Sequence, residues 1–390
     1  MGFNWLRTMI SKLQPIEYHP KFELLRGIAA IIVLIVHAIQ LYWFRLIGSS
    51  SDIALISGLF GRHAVLLFFL LSGYLITLSI LTNIIRNQRF DWTEYAAARI
   101  ARIYPPLIGA IILVVIAWFV IRVFHLPGYT HYGIATDKYI ARERFDISWR
   151  DVKRTLLMAN GFLQANGPLW SLYIEWHLYV IAMFFTITIT VKSNLYRILS
   201  GLAIGFFFIY GNKINEEFLF YAIIWFLGSM SAVAVSFGKR YKIANLTTFI
   251  NLFIVSGICF LYFNVSDAIY IKNTFFSHLA QILFCLLYLQ IVVFSETIEN
   301  FNIPNWAVAS GSSSYSLYVI HFPLLLLTYS ITQNWMMDSY LKTGVVSIIA
   351  LPSIYLFSLL FSSFFENQKL FKPAVRAFIC WTKVDILRQK

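Results

Sequence analysis

Long apolar stretches alternate with short polar ones along the whole chain, and that alternation predicts the architecture. Runs of about 20 apolar residues recur from end to end, the length a helix needs to cross the hydrocarbon core. They do not show the period-two alternation, in units of about 10 residues, that marks a transmembrane β-strand. The pattern predicts ten spans, at 24–47, 64–85, 105–124, 170–191, 197–211, 218–237, 243–264, 274–295, 313–333 and 343–365, the fifth being short. An even number of spans places both termini on one side. Lys and Arg favour the short loops of that side, which makes it cytoplasmic by the positive-inside rule. The expected fold class is an all-α polytopic membrane protein with about ten transmembrane helices and both termini cytoplasmic. Residues 1–23 are expected as a cytoplasmic N-terminal segment, 24–366 as the transmembrane domain and 367–390 as a basic cytoplasmic tail with no soluble domain appended. The first span is long and lacks a small-residue cleavage site, so it is expected to stay as an anchor.

Two connections are unusual. Segment 86–104, RNQRFDWTEYAAARIARIY, is predicted to begin a helix at Asp91, with Glu94 three residues on as a weak capping box. Pro105-Pro106 is expected to break or restart that helix. The long loop 125–169 is expected on the extracytoplasmic side, with its SWRDVKRTLLM portion forming a short surface helix.

Composition narrows the class further. Hydrophobic residues make up 59% of the chain and charged ones 13%, with a mean hydropathy of +0.70. A soluble domain carries about a quarter charged residues. The net charge of +13 sits in loops, where topogenesis and anionic lipid headgroups account for it, so no nucleic-acid partner is expected. Cys259, Cys285 and Cys380 lie in spans or the tail and give no disulfide framework.

Candidate chemistry lies in polar residues placed where hydrocarbon should be. Arg26 and His37 are eleven residues apart, about 20° past three full turns, so they share one face about 16 Å apart along the axis. Arg26 alone reads equally as a cation snorkelling to the cytoplasmic headgroups. His37, near mid-bilayer, faces a cavity or pathway in the usual case, and a neutral imidazole there can accept a proton. Arg99 and Arg102 share a face at i and i+3, where two guanidinium forks suit a polyphosphate or serve as plain cytoplasmic charge.

In GPLWSLYIEWHLY, residues Ser171, Glu175 and Tyr179 form a polar stripe at i, i+4 and i+8. A buried carboxylate needs a partner from another span, catalytic or structural. His177 points away from that stripe. In SSYSLYVIHFP, Ser314, Tyr318 and His321 form a second stripe, and Pro323 is expected to kink the helix behind it. Ser72-Gly73 in span two favours close helix packing. The chain shows no Walker loop, no dinucleotide fingerprint, no GxSxG elbow and no spacing of metal ligands.

Taken in order, these pieces resemble the membrane acyltransferase-3 family. The resemblance rests on Arg26 and His37 separated by ten residues, FFLLSGY, RIARIYPP, PLWSLYIEWHLY and SYSLYVIHFP, and runs from about residue 22 to 373. FENQKLFKP at Phe365–Pro373 is similar to the family's closing pattern. Two departures stand out. Trp176 occupies the position after Glu175 where many relatives carry a second acid, and the SGNH esterase-like domain that many relatives append is not seen.

The resemblance implies a multi-pass enzyme of the bacterial inner membrane. It would move an acyl group, usually acetyl, from cytoplasmic acetyl-CoA to hydroxyls of an extracytoplasmic or lipid-linked glycan, with no metal. On that reading Arg99, Arg102 and Arg26 hold the donor's phosphates. His37 acts as general base or takes the acyl group itself, and Glu175 orients it or stabilises the imidazolium where the two helices meet. Tyr318 and His321 line the acceptor side with Ser72, Trp170 and Ser171, of which either serine is a lesser candidate acyl carrier. Partners would be acyl-CoA, the glycan, membrane lipids and a second copy of the chain. The competing class is a transporter or flippase for a lipid-linked sugar, which also places ionisable residues at mid-membrane.

Overall fold

The computed structural model describes residues 20–128, 147–162, 164–237, 274–292 and 304–388, and among these every regular element is helical. The helices are α1 (Lys21–Ile47), α2 (Asp52–Asn87), α3 (Trp92–Val123), α4 (Trp149–Leu156), α5 (Leu169–Thr190), α6 (Asn194–Ile214), α7 (Phe218–Ser236), α8 (Thr274–Val292), α9 (Asn305–Ser312), α10 (Ser314–Met336), α11 (Tyr340–Phe365) and α12 (Gln368–Arg388). Eight of them, α1–α3, α5–α7, α10 and α11, are long and apolar enough to cross a membrane. The protein is therefore a polytopic helical membrane protein. The expected span at 274–295 coincides with α8, and the one expected at 243–264 lies outside the described residues.

The chain divides into two compact units, one built on Leu66–Asp91 and Val180–Pro304, the other on Glu23–Val65, Trp92–Tyr179 and Asn305–Lys390. In the first, α2 and α7 meet backbone to backbone. A Cβ added at Gly73 would run into the Trp225 carbonyl oxygen, and one at Gly228 into that of Leu70. Close approach through small residues is how helices associate where no hydrophobic effect separates side chain from lipid. Trp225 Nε1 donates to Ser72 Oγ at 3.2 Å, and Thr77 donates to Ser229 Oγ at 2.7 Å, which fixes the register of the crossing.

In the second unit α10 is buried nearly all round, and the other helices are placed by it. Tyr42 of α1 donates to the Leu325 carbonyl at 3.2 Å, and Trp43 Nε1 donates to Ser347 Oγ of α11 at 3.0 Å. Those two side chains leave α1 from a π turn, Ile39–Trp43, that begins two residues past His37. Such wide turns re-aim side chains within an otherwise regular helix and occur often at functional sites. Below it, Gly27 lies against Ser310, and Gly311 against the Glu23 backbone, so α1 and α9 also touch closely. Gly109 of α3 receives the ring of Phe361 from α11. The outward faces of α11 remain apolar, with Leu341, Ile348 and Leu360 exposed as lipid contact requires.

The structure corrects the expected break at Pro105-Pro106: α3 runs unbroken from Trp92 to Val123 with both prolines inside it. Proline removes a helical donor, but in membrane proteins neighbouring groups re-satisfy the turn. The carbonyls that Pro105 and Pro106 leave without a helical donor are those of Ala101 and Arg102; both prolines are buried in packing, and the Tyr315 hydroxyl of α10 adds a bond to the Ile103 carbonyl of the same turn at 3.0 Å. Pro323 has a direct partner for the carbonyl it frees. Its missing N–H frees the carbonyl four residues back, at Val319, and Asn166 Nδ2 donates to that oxygen at 2.8 Å.

The predicted surface helix is α4, whose first turn carries a capping box. Ser148 N–H donates to the Asp151 carboxylate at 2.9 Å, and Asp151 N–H returns a bond to Ser148 Oγ at 3.3 Å. After Glu366 the chain forms α12, tied to α3 by Lys372 and Glu94 at 3.8 Å.

Candidate functional site

Two polar clusters lie inside the second unit. The first is a pair of imidazoles. His37 of α1 and His321 of α10 stack with ring centroids 5.0 Å apart, and His321 Nε2 lies 3.0 Å from His37 Nδ1. Phe322 presents its edge to His37 at 5.3 Å. His321 is 1% exposed, and its Nδ1 donates to the Tyr318 carbonyl at 2.8 Å and to that of Leu317 at 3.1 Å.

One turn earlier on α10, the Tyr318 hydroxyl donates to the Pro168 carbonyl at 2.7 Å and shares a 2.5 Å hydrogen bond with Ser171. Pro168 and Ser171 belong to the entry turn of α5. The polar stripe of α10 and the start of α5 are thus locked together beside the histidines. Trp170, in the first turn of α5, is half-buried.

The second cluster is ionic. Arg99 lies over the rings of Tyr95 and Tyr179, 5.7 and 5.9 Å from their centroids. Tyr179 donates to Glu175 Oε1 at 2.5 Å, and Tyr95 donates to the Tyr179 carbonyl at 3.1 Å. Arg102 faces Glu366 at 4.0 Å, and Glu366 Oε1 accepts from the Ser316 N–H at 2.9 Å. Glu175, Tyr179, Glu23 and Glu366 all lie within electrostatic range of Arg102.

Arg26 pairs with Glu23 at 3.5 Å. Arg102 Nη2, Glu366 Oε2 and the hydroxyls of Ser314 and Ser316 are buried without hydrogen bonds. Cations balanced by carboxylates across bonds this long, with buried donors unused, make a setting in which an incoming oxyanion can be bound by guanidinium forks.

The structure brings His37 and His321 together, Tyr318 and Ser171 together, and Arg102 into one cluster with Glu175. It does not put Glu175 on His37: the carboxylate bonds to Tyr179 and the imidazole to His321. Ser72 belongs to the other unit, where it accepts from Trp225. His177 is turned into packing, its Nδ1 donating to the Tyr173 carbonyl at 2.6 Å. Trp176 packs edge-on to Tyr104 at 5.3 Å.

Sequence reasoning missed Asn166 and Glu23, and gave Glu366 no role beyond its place in the closing pattern FENQKLFKP. Glu366 carried a signal, being an acid directly after an apolar span. Asn166 carried none, because the carbonyl it satisfies is 153 residues away.

Comparison with known proteins bears on the same residues. A family profile described as an acyltransferase domain matches residues 19–366, a range holding both clusters. The chain is similar to the peptidoglycan O-acetyltransferase OatA of Listeria monocytogenes, 24% identical over 368 residues, which covers 86% of this chain and 54% of that one. The chain thus spans about half the length of that relative. No solved structure matches it.

Proposed function

Since the chain belongs to the membrane acyltransferase-3 family and is an acyltransferase, we propose that it moves an acetyl group from cytoplasmic acetyl-CoA to a hydroxyl of an extracytoplasmic or lipid-linked polysaccharide, in the inner membrane of a bacterium. The observation that carries this reading is the His37–His321 pair, held between two membrane helices in the same unit as the arginine cluster. Arg102 and Arg99, with Arg26, hold the phosphates of the donor through charge-assisted bonds. His37 then acts as general base.

The acceptor hydroxyl gives its proton to an imidazole nitrogen of His37, and its oxygen attacks the thioester carbonyl carbon. A C–O bond forms, the C–S bond breaks, and the departing thiolate takes the proton back from the imidazolium. The glycan acceptor is proposed from the Listeria relative, a peptidoglycan O-acetyltransferase. The donor follows the need for an activated acyl group on an anionic carrier that arginines can hold.

The test is acetyl transfer in inverted membrane vesicles supplied with radiolabelled acetyl-CoA. His37→Ala is expected to abolish label in glycan, a loss of about 100-fold or more. Retained transfer in that variant, or translocation of a lipid-linked sugar with no label incorporated, would sink the reading.

A further inference from the structure

An imidazole has two distinct nitrogens, and its surroundings decide which carries the hydrogen. In His321 the decision is made by the backbone of its own helix. Nδ1 lies 2.8 Å from one carbonyl oxygen and 3.1 Å from another. A carbonyl can only accept, so this nitrogen is an N–H.

A neutral His321 then presents a bare lone pair at Nε2, and that atom lies 3.0 Å from His37 Nδ1. Two lone pairs cannot face each other at this distance. His37 also bonds the Val33 carbonyl four residues back on its own helix, the relation in which His321 Nδ1 meets the Leu317 carbonyl. His37 Nδ1 therefore holds the hydrogen and shares it between His321 Nε2 and that carbonyl, which leaves the lone pair of His37 on Nε2 alone. The order of hydrogens follows from backbone contacts on both helices and runs in a single direction: His37 Nδ1–H to His321 Nε2, and His321 Nδ1–H to Tyr318 O. No carboxylate of the described residues forms an ion pair with either ring, so a neutral ring occupies the place that an acid takes in many histidine-based sites.

We propose that His321 is the positioning residue of this site: together with the Val33 carbonyl it accepts the Nδ1 hydrogen of His37, and so holds the ring in the tautomer and orientation in which His37 Nε2 takes the proton from the acceptor hydroxyl. This rests on the reading of His37 as general base. When Nε2 gains that proton, the Nδ1–H bond to His321 becomes charge-assisted and shortens, so the pair is tighter in the transition state than in the ground state. His321 accordingly lines no separate acceptor pocket. Its nitrogens are both used, one on the backbone and one on His37.

The experiment compares two replacements in the reconstituted full-length protein. His321→Gln keeps a carbonyl acceptor within reach of His37, and His321→Leu keeps bulk and removes the acceptor. With radiolabelled acetyl-CoA and total envelope glycan as acceptor, the Leu variant is expected to lose about 100-fold in kcat, with KM for acetyl-CoA within about twofold. The Gln variant is expected to recover to within about tenfold of the parent. Equal losses in the two variants, or a loss confined to KM, overturn the proposal.

A second measurement needs no turnover. In protein labelled with 15N-histidine, the His37 signals, identified by their loss in His37→Gln, are expected to show a protonated Nδ1 and a bare Nε2. A bare Nδ1 at His37 overturns the proposal even if His321→Leu does not fold. Full transfer by His37→Ala removes the general-base reading instead, and the nitrogen spectrum still decides the pairing.

Discussion

Arg102 and Glu366 form an ion pair left weak enough to suit the proposed binding of the donor. Their facing atoms are 4.0 Å apart, buried and not hydrogen bonded, so the pair is looser than a structural salt bridge. A guanidinium bond to a charged oxygen contributes about 1.5–3 kcal/mol. Arg102→Ala is therefore expected to raise KM for acetyl-CoA by about tenfold or more, with kcat less affected. Donor-concentration dependence in vesicles measures this, and an unchanged KM would remove Arg102 from donor binding.

Some of these residues were readable from spacing, because one helix sets their relation. Arg26 and His37, or Ser171, Glu175 and Tyr179, are such cases. The partner of His37 was not readable, since His321 lies 284 residues later and periodicity carries no information between helices. The same limit holds for Glu175: its expected relation to His37 depends on how two helices meet, and its bond runs to Tyr179 one turn along its own helix.

At the scale of the element, the apolar runs announced where the helices are. Their continuity depended on contacts from elsewhere. Proline reads locally as a break, yet α3 and α10 both run through theirs because side chains from other elements meet the carbonyls nearby. Asn166 is the clearest case. Replacing it with Leu leaves the Val319 carbonyl buried without a donor, a cost of about 1–3 kcal/mol. Asn166→Leu is expected to lower the thermal unfolding midpoint of the detergent-solubilised protein by several degrees, and to lower kcat because His321 is on the same turn of α10. An unchanged midpoint would show that the carbonyl finds another donor.

At Gly73 the expected effect comes from volume. Gly73→Leu forces α2 off the α7 backbone, and overpacking of this kind costs about 1–3 kcal/mol. A lowered unfolding midpoint is the expected result, and a stable variant would mean that the two helices are free to separate.

At the scale of the whole molecule, the eight membrane-length helices agree with the class that composition indicated, while the sidedness of the chain rests on the charge of its loops. Cysteine labelling tests it. A single cysteine placed at Lys369 in a cysteine-free chain is expected to react with a membrane-impermeant maleimide in inverted vesicles and not in intact cells. One at Trp149 is expected to react in intact cells. The opposite pattern would turn the donor side outward and exclude cytoplasmic acetyl-CoA.

The second unit is woven from three separate stretches, Glu23–Val65, Trp92–Tyr179 and Asn305–Lys390. This bears on the order of synthesis. His37 is made first and enters the membrane hundreds of residues before its partner exists, so the nascent chain carries an unmatched imidazole through most of translation. A chain that stops before Ser314 lacks the partner of His37, and is expected to transfer no acetyl group. Conversely, the last stretch supplied in trans has a defined seat to fill, and the chain should be unusually amenable to being expressed as two fragments that regain activity together.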